Sequence, residues 1–422
     1  MSATHGSKGG TPHPPAALGV LAFAMALSLP GMILGLSGFH AGESPFLGLL
    51  VFGGAIVSAA FVLTWAAELA QLDIGSSLAI VFVALVTVLP EYAVDMLLAW
   101  NAAIDAGDQN MALANMTGAN RLLIGIGWPV VALIVWYKKG GREVLLGKDR
   151  SPDVIWLTIA TLYSVVIPLK GTLAWYDALF LIGIYGLYVL GSKNEPEEEH
   201  DLVGPPQVMA GWKPARRKKA TALLFVWAAA AIFLCVHPFV ESLKTSGASL
   251  GIDPTFFIQW LAPLASESPE FVVVVLLTLR GRADMGLGAF VSSKVNQWTL
   301  LVGGVPLAYG ISSWVHHDAF AAGMTLTSFQ KEELWLTITQ GLYAVAAILD
   351  LNFSLRQATI ILVLFLVQFL GSIAFETAGL HGVTAPFHTG LSILYALLAL
   401  ERFAAQRHEL KLRLAEVFGK PS

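Results

Sequence analysis

The sequence predicts an all-α polytopic membrane protein of about twelve transmembrane helices containing two inverted repeats. Three observations predict it. Residues AVILMFWYC make up 56% of the 422 and charged residues only 13%, where soluble domains run at about 25% charged. Apolar stretches recur along the whole chain at the length of about 20 residues that a helix needs to span a bilayer. Two of these stretches carry a Pro-Glu pair, Pro90-Glu91 and Pro269-Glu270, inside the apolar run.

Residues 1–16 are polar and rich in Gly, Pro and His, and are expected to be a disordered cytoplasmic N-terminus. The apolar run 17–37 is long enough to span and too long for the core of a signal peptide. Further spans are expected at 46–70, 77–100, 111–137, 153–169 and 173–192, which completes a first membrane half, 17–192, with repeat one at 77–137. A polar break at 193–218 holds an acidic run, Pro205-Pro206 and a basic cluster; it reads as a cytoplasmic linker, too short to fold by itself. The second half, 219–403, has spans at 219–242, 254–279, 285–312, 333–351, 356–376 and 386–403, with repeat two at 254–312. Residues 404–422 are expected to be a cytoplasmic tail. Cys235, the one cysteine, excludes an intramolecular disulfide and a cysteine metal cluster.

Lys and Arg set the orientation. Loop 138–152 carries Lys138, Lys139, Arg142, Lys148 and Arg150, and the linker carries Lys213, Arg216, Arg217 and Lys218. Two spans separate these loops, so both face one side, expected to be cytoplasmic. Arg280, Arg282, Arg356 and the basic tail fall on that side, while Asp105 and Asp108 fall opposite; Lys170, Lys244 and Lys331 are the exceptions. Both termini are expected in the cytoplasm, and the protein in the inner (plasma) membrane of a bacterium.

Ionisable groups at mid-membrane cost roughly 2.5 kcal/mol or more each and mark function. Setting Glu91 against Glu270 aligns Pro90 with Pro269, Tyr92 with Phe271 and Thr87 with Ser266; the next helices align Met111–Asn120 with Met285–Lys294. The two Pro-Glu helices run in opposite directions through the membrane. Inverted repeats with interrupted helices are the build of many secondary transporters. A proline also frees the carbonyl four residues earlier, here Val86 and Ala265. Hard cations take oxygen ligands, so Glu91, Glu270, Thr87, Ser266 and those carbonyls are the candidate ligands, with Pro90 and Pro269 as helix breaks. Asp95, one turn from Glu91, is a candidate extension of the ion path. Glu68, Asp177, Asp350 and Gln340 lie in or near helices and are weaker candidates.

At these residues the chain resembles the sodium/calcium exchanger superfamily of cation/Ca2+ antiporters. Repeat one reads Val86-Thr87-Val88-Leu89-Pro90-Glu91 and Ala114-Asn115-Met116-Thr117-Gly118-Ala119-Asn120. Repeat two reads Ala265-Ser266-Glu267-Ser268-Pro269-Glu270 and Gly288-Ala289-Phe290-Val291-Ser292-Ser293-Lys294. The resemblance implies that helices two to eleven form two inverted five-helix repeats, and that Glu91 and Glu270 hold metal, helped by Val88 and Glu267, Ala119 and Leu123, and Ser293 and Gln297 by position; Val88, Ala119 and Leu123 have no side-chain ligand to offer. Asn120 keeps the family asparagine and Lys294 replaces it in repeat two. Arg121 and Lys294 are expected as charge compensators or a proton switch beside the Pro-Glu carboxylates. The expected function is a cation antiporter working by alternating access, coupled to Na+ or H+ with Ca2+ as the family partner. The alternative is a transport-inactive homologue acting as a scaffold or sensor, its site locked by Arg121 and Lys294. Nucleophile-base constellations, phosphate loops and nucleic-acid motifs do not appear, so neither enzymatic activity, a cofactor nor nucleic acid is expected; the partners are inorganic cations and the lipid bilayer.

Overall fold

The computed structural model describes residues 14–38, 44–73, 88–191 and 202–419. The expectations for 1–13, for Val86 and Thr87 with the start of their helix, and for the acidic half of the linker lie outside the described residues. Those described form α1 (Pro14–Leu36), α2 (Pro45–Gln71), α3 (Leu89–Ile104), α4 (Met111–Leu122), α5 (Trp128–Lys139), β1 (Glu143–Leu145), α6 (Ser151–Ser164), α7 (Val166–Lys170), β2 (Thr172–Ala174) and α8 (Trp175–Gly191). After the linker come α9 (Pro205–Met209), α10 (Pro214–Ser249), α11 (Pro254–Leu279), α12 (Ala283–Asn296), α13 (Val302–His317), β3 (Gly323–Thr325), α14 (Ser328–Ala347), β4 (Asn352–Ser354), α15 (Leu355–Thr377), α16 (His381–Ala405) and α17 (Arg407–Phe418).

Nine helical segments among the described residues are long and apolar enough to cross a membrane. With α3, α8 and α14 they correspond to the twelve expected spans. Single π turns, Leu123–Gly127 and Gln297–Leu301, join α4 to α5 and α12 to α13. They start three residues after Asn120 and Lys294, which the repeat alignment pairs, so the two turns are repeat mates. Such turns loosen the helical ladder and recur at functional sites.

Two short antiparallel ribbons carry the same symmetry. β1 pairs with β4, Val144 opposite Phe353, and β2 pairs with β3, Leu173 opposite Met324. β1 and β3 follow the third span of their five-span repeats, β2 and β4 the fourth, so exchanging the repeats turns one ribbon into the other. One ribbon lies on the basic face, beside Arg142, and the other on the opposite face. Each joins the two halves of the chain.

The largest apolar core spans both halves around Trp128, Trp298, Phe290 and Tyr343. A second holds α1, α2 and α10 together through Leu63, Ala228 and Ile232. A third, with Phe52, Phe239, Leu98 and Ile258, joins α2 and α10 to α3 and α11. The tightest crossing in the site region is α4 on α11, where a Cβ on Gly118 would lie 1.8 Å from the Gln259 carbonyl oxygen. Pro263 frees that carbonyl from its own helix. Helix propensity favours Gly118→Ala by about 1 kcal/mol, but the clash is with backbone and costs about 3 kcal/mol, which outweighs it. Gly118→Ala is therefore expected to lower the melting temperature of the detergent-solubilised protein; an unchanged or raised melting temperature contradicts this packing.

Two boundaries differ from the sequence expectation. α10 is 36 residues long, beginning inside the predicted linker and running past the predicted end at 242. Its first turn is pinned because Arg217 donates to both oxygens of Asp73, at 2.8 and 2.7 Å, and this guanidinium holds the Asp73 carboxyl below the usual carboxylate range. The predicted tail contains α17, which packs on α6: Phe418 meets Trp156 edge-on at 5.5 Å, and Arg413 donates to Ser151 at 3.1 Å.

Candidate functional site

Pro90 stands in the first turn of α3, where its missing N–H costs nothing, and sets Glu91 at the head of that helix. Pro269 behaves otherwise than expected. α11 continues through both Pro263 and Pro269, so Pro269 does not break it. The carbonyl freed by Pro269 is that of Ala265, and the Ser268 hydroxyl donates to it at 3.2 Å, satisfying it within the helix. Ser266 likewise donates back to Ala262 at 3.2 Å. Neither the Ala265 carbonyl nor the Ser266 hydroxyl is therefore uncommitted, as the sequence suggested; such back-bonding is the usual state of serine inside a helix.

Gln297, first residue of the second π turn, draws the repeats together. Its Nε2 donates to Glu267 at 2.8 Å and to Glu91 at 3.3 Å. Ser293, one turn earlier, donates to Glu270 at 3.0 Å. Asn115 donates to Asp95 at 3.0 Å, and Tyr92 to Asn296 at 2.9 Å. Glu91 is the hub: Asp95 and Glu270 both lie close enough to repel it electrostatically. Glu91 and Glu267 are only 3% and 4% exposed and Asp95 is fully buried, while Glu270 is half-buried.

Five buried oxygens here have no protein partner: Glu91 Oε1, Glu267 Oε2, Asp95 Oδ2, Gln297 Oε1 and Asn115 Oδ1. Buried polar atoms are nearly always satisfied, so this concentration marks a place built for something that donates protons or accepts oxygen ligands. Among the described residues no group of three or more His, Cys, Asp or Glu is placed to hold a metal ion. A Ca2+ ion, which takes six to eight oxygens, would in this conformation draw on carboxylate pairs, amide oxygens and water.

The two cations part company. Lys294 donates to Asn120, through its side-chain oxygen and through its carbonyl at 3.3 Å, and lies over Trp298 at 4.7 Å. It is near enough to Glu267 and Glu91 to attract both. Arg121 instead pairs with Glu333, which also accepts from Gln259 and contacts His388 at 3.1 Å. One residue along a helix turns a side chain by about 100°, so Arg121 faces α14 while Asn120 faces α12. Arg121 is thus the counter-ion of Glu333, and among the described residues no ion pair joins it or Lys294 to Glu91 or Glu270. Glu333, His388 and Gln259 were missed in the sequence, where the only signal was an ionisable or amide group inside an apolar run.

Carboxylates from two inverted repeats, drawn together by an amide on a π turn inside a many-span helical body, define a cation transporter of the secondary-active class. The family model described as sodium/calcium exchanger protein matches residues 43–193 and 220–377. The chain belongs to that family of cation/Ca2+ antiporters. It is similar to a crystal structure described as the H+/Ca2+ exchanger CAX, at 37% identity over 96% of this chain and 98% of that one, with a TM-score of 0.88. It shares its fold with native YfkE, at 16% identity over 84% and 98% of the two chains and a TM-score of 0.56. The sodium-calcium exchanger NCX_Mj shares it at 13% identity over 80% and 98%, with a TM-score of 0.51. Comparison with curated protein sequences gave no match.

Proposed function

We propose that the protein exchanges protons for Ca2+ or a similar hard cation, with Glu91, Glu267 and Glu270 as the alternating proton and cation acceptors. The observation that carries this reading is the Gln297 bridge, which brings Glu91 of one repeat and Glu267 of the other to a single amide and leaves an oxygen of each unpartnered. A carboxyl without a partner serves equally as a proton acceptor and as a hard-cation ligand, so the two cargoes exclude each other and exchange follows. The H+/Ca2+ exchanger named among the similar structures supports protons over sodium as the coupling ion. Asp95 with Asn115 extends the path beyond Glu91, and Ser293 positions Glu270. The positive-inside placement of the basic loops supports cytoplasmic termini, and Thr87 retains its assignment from the repeat alignment alone.

The transport-inactive alternative requires basic nitrogens on both Pro-Glu carboxylates, and Arg121 is engaged elsewhere. The test is flux in proteoliposomes holding the full chain. A pH gradient is expected to drive 45Ca2+ uptake and a Na+ gradient is not. Uptake driven by Na+ alone replaces the coupling ion, and no cation movement under either gradient overturns the exchanger reading.

A further inference from the structure

Asp153, in the first turn of α6, is a buried carboxylate outside the transport site, and its contacts lead back to that site. Its Oδ2 accepts from Ser292 of α12 at 2.9 Å and from Arg150 at 3.4 Å. Arg150 also donates to Ser292 at 3.4 Å, and Tyr188 of α8 donates to Asp153 as well. The Arg150 guanidinium rests on α12 at Gly288, one turn before Ser292, where a Cβ would lie 2.9 Å from Nε. Consecutive serines thus hold α12 between two carboxylates: Ser292 donates to Asp153 of α6, and Ser293 donates to Glu270 in the site at 3.0 Å.

The other repeat carries the same device at the opposite mouth. Asp153 stands eight residues beyond Leu145, where β1 ends, and Glu333 eight beyond Thr325, where β3 ends. Each acid lies near the start of the fourth span of its repeat and reaches the third span of the other: Asp153 takes Ser292 of α12, and Glu333 takes Arg121 of α4. On α4, too, consecutive residues divide the work, since Arg121 faces Glu333 while Asn120 accepts from Lys294. Asp153 and Glu333 are therefore repeat mates with one construction, each gripping a site helix of the opposite repeat.

An apolar contact keeps two helices together but leaves them free to turn, whereas a hydrogen bond has a preferred direction. Neighbouring residues point about 100° apart around a helix, so fixing Ser292 on Asp153 fixes where Ser293 points. Beyond Ser293 the helix runs into the π turn at Gln297, which leaves the Ser292 end to set its rotation. We propose that Asp153 is a positioning residue of the transport site, holding α12 from α6 so that Ser293 stays on Glu270, as Glu333 holds α4 from the other repeat. The proposal rests on the reading of Glu270 as a cation acceptor. Asp153 does not touch the cation; it acts through Ser292 and the backbone of α12.

The test is 45Ca2+ self-exchange by the full chain in liposomes, at equal pH on both sides as read by a trapped pH dye, measured against Ca2+ concentration. Asp153→Ala and Ser292→Ala are each expected to raise the half-saturating Ca2+ concentration about tenfold, the low end of the loss when an outer-shell partner of a bound metal is removed. The maximal rate is expected to stay within about twofold of wild type. Combining the two changes adds nothing beyond the larger single effect, because both cut one contact. Asp153→Asn keeps an oxygen for Ser292 and is expected to return to within about threefold of wild type. A merely structural contact would instead lower the maximal rate and the melting temperature at unchanged half-saturation, and that result overturns the proposal. So does an Asp153→Asn protein that behaves as Asp153→Ala, or a double variant whose effects add. If Asp153→Ala does not fold, Ser292→Ala and Asp153→Asn decide by the same values. Wild-type protein silent in self-exchange overturns the exchanger reading, whereas active wild type with unaltered variants overturns the positioning role alone.

Discussion

Glu270→Gln and Glu91→Gln are each expected to reduce cation flux at least about 100-fold, since even the outer-shell partners of a bound metal cost 10–100-fold when removed. Glutamine keeps the shape and a hydrogen-bonding oxygen but neither takes up a proton nor brings a charge to a divalent ion. Folding should survive, because neutralising a buried carboxyl removes a desolvation cost. For Glu270 the Ser293 hydroxyl keeps an acceptor at the 3.0 Å position. The measurement is 45Ca2+ flux in proteoliposomes alongside size-exclusion behaviour in detergent. A well-folded Glu270→Gln protein with wild-type flux would remove Glu270 from the transport site.

Lys294→Gln is expected to tighten cation binding on the order of a hundredfold and to lose pH-driven transport. At an effective dielectric of about 20, an ammonium even roughly 10 Å from a bound divalent cation repels it by about 3 kcal/mol, and each 1.4 kcal/mol is tenfold in affinity. Glutamine retains a donor for Asn120 and removes the charge. Glu91 and Glu267 then lose the cation that attracts both, and a transported ion must take its place. Isothermal titration with Ca2+ reads the affinity and the trapped dye reads the coupling. If Lys294→Gln binds Ca2+ as wild type does and still responds to the pH gradient, the ammonium has a packing role only.

Much of the architecture was legible because bilayer spans and their Lys/Arg flanks are written locally. The span predicted at 254–279 matches α11 residue for residue. The π turns were not legible, since nothing in Leu123–Gly127 or Gln297–Leu301 distinguishes them from ordinary helix; they arise from the crossing of the two repeats. Glu91, Glu267, Glu270 and Gln297 could be named from the Pro-Glu pairs and the family resemblance, and the structure gathers them. Arg121 was placed at the wrong partner because the sequence gives a residue's distance along a helix more readily than its direction. Pro269 was expected to free Ala265, and the neighbouring Ser268 undoes that by supplying the lost donor. Pairing between distant segments, such as Arg121 with Glu333 and His388, is a tertiary fact for which one sequence carries no spacing rule.

The two ribbons constrain how the machine can move. Main-chain hydrogen bonds at both mouths stitch the strands flanking α6 and α8 to those flanking α14 and α15, so these helices travel as one chassis that cannot be prised apart at either end. Among the described residues α2 and α10, the opening helices of their repeats, carry no strand, and they share an apolar seam with α1. They meet α3 and α11 through side chains such as Phe52 and Phe239, a greased contact with no backbone bond to break among the described residues. Exposure of Glu91 and Glu270 to one side and then the other is therefore expected to come from this three-helix slider shifting along a fixed frame.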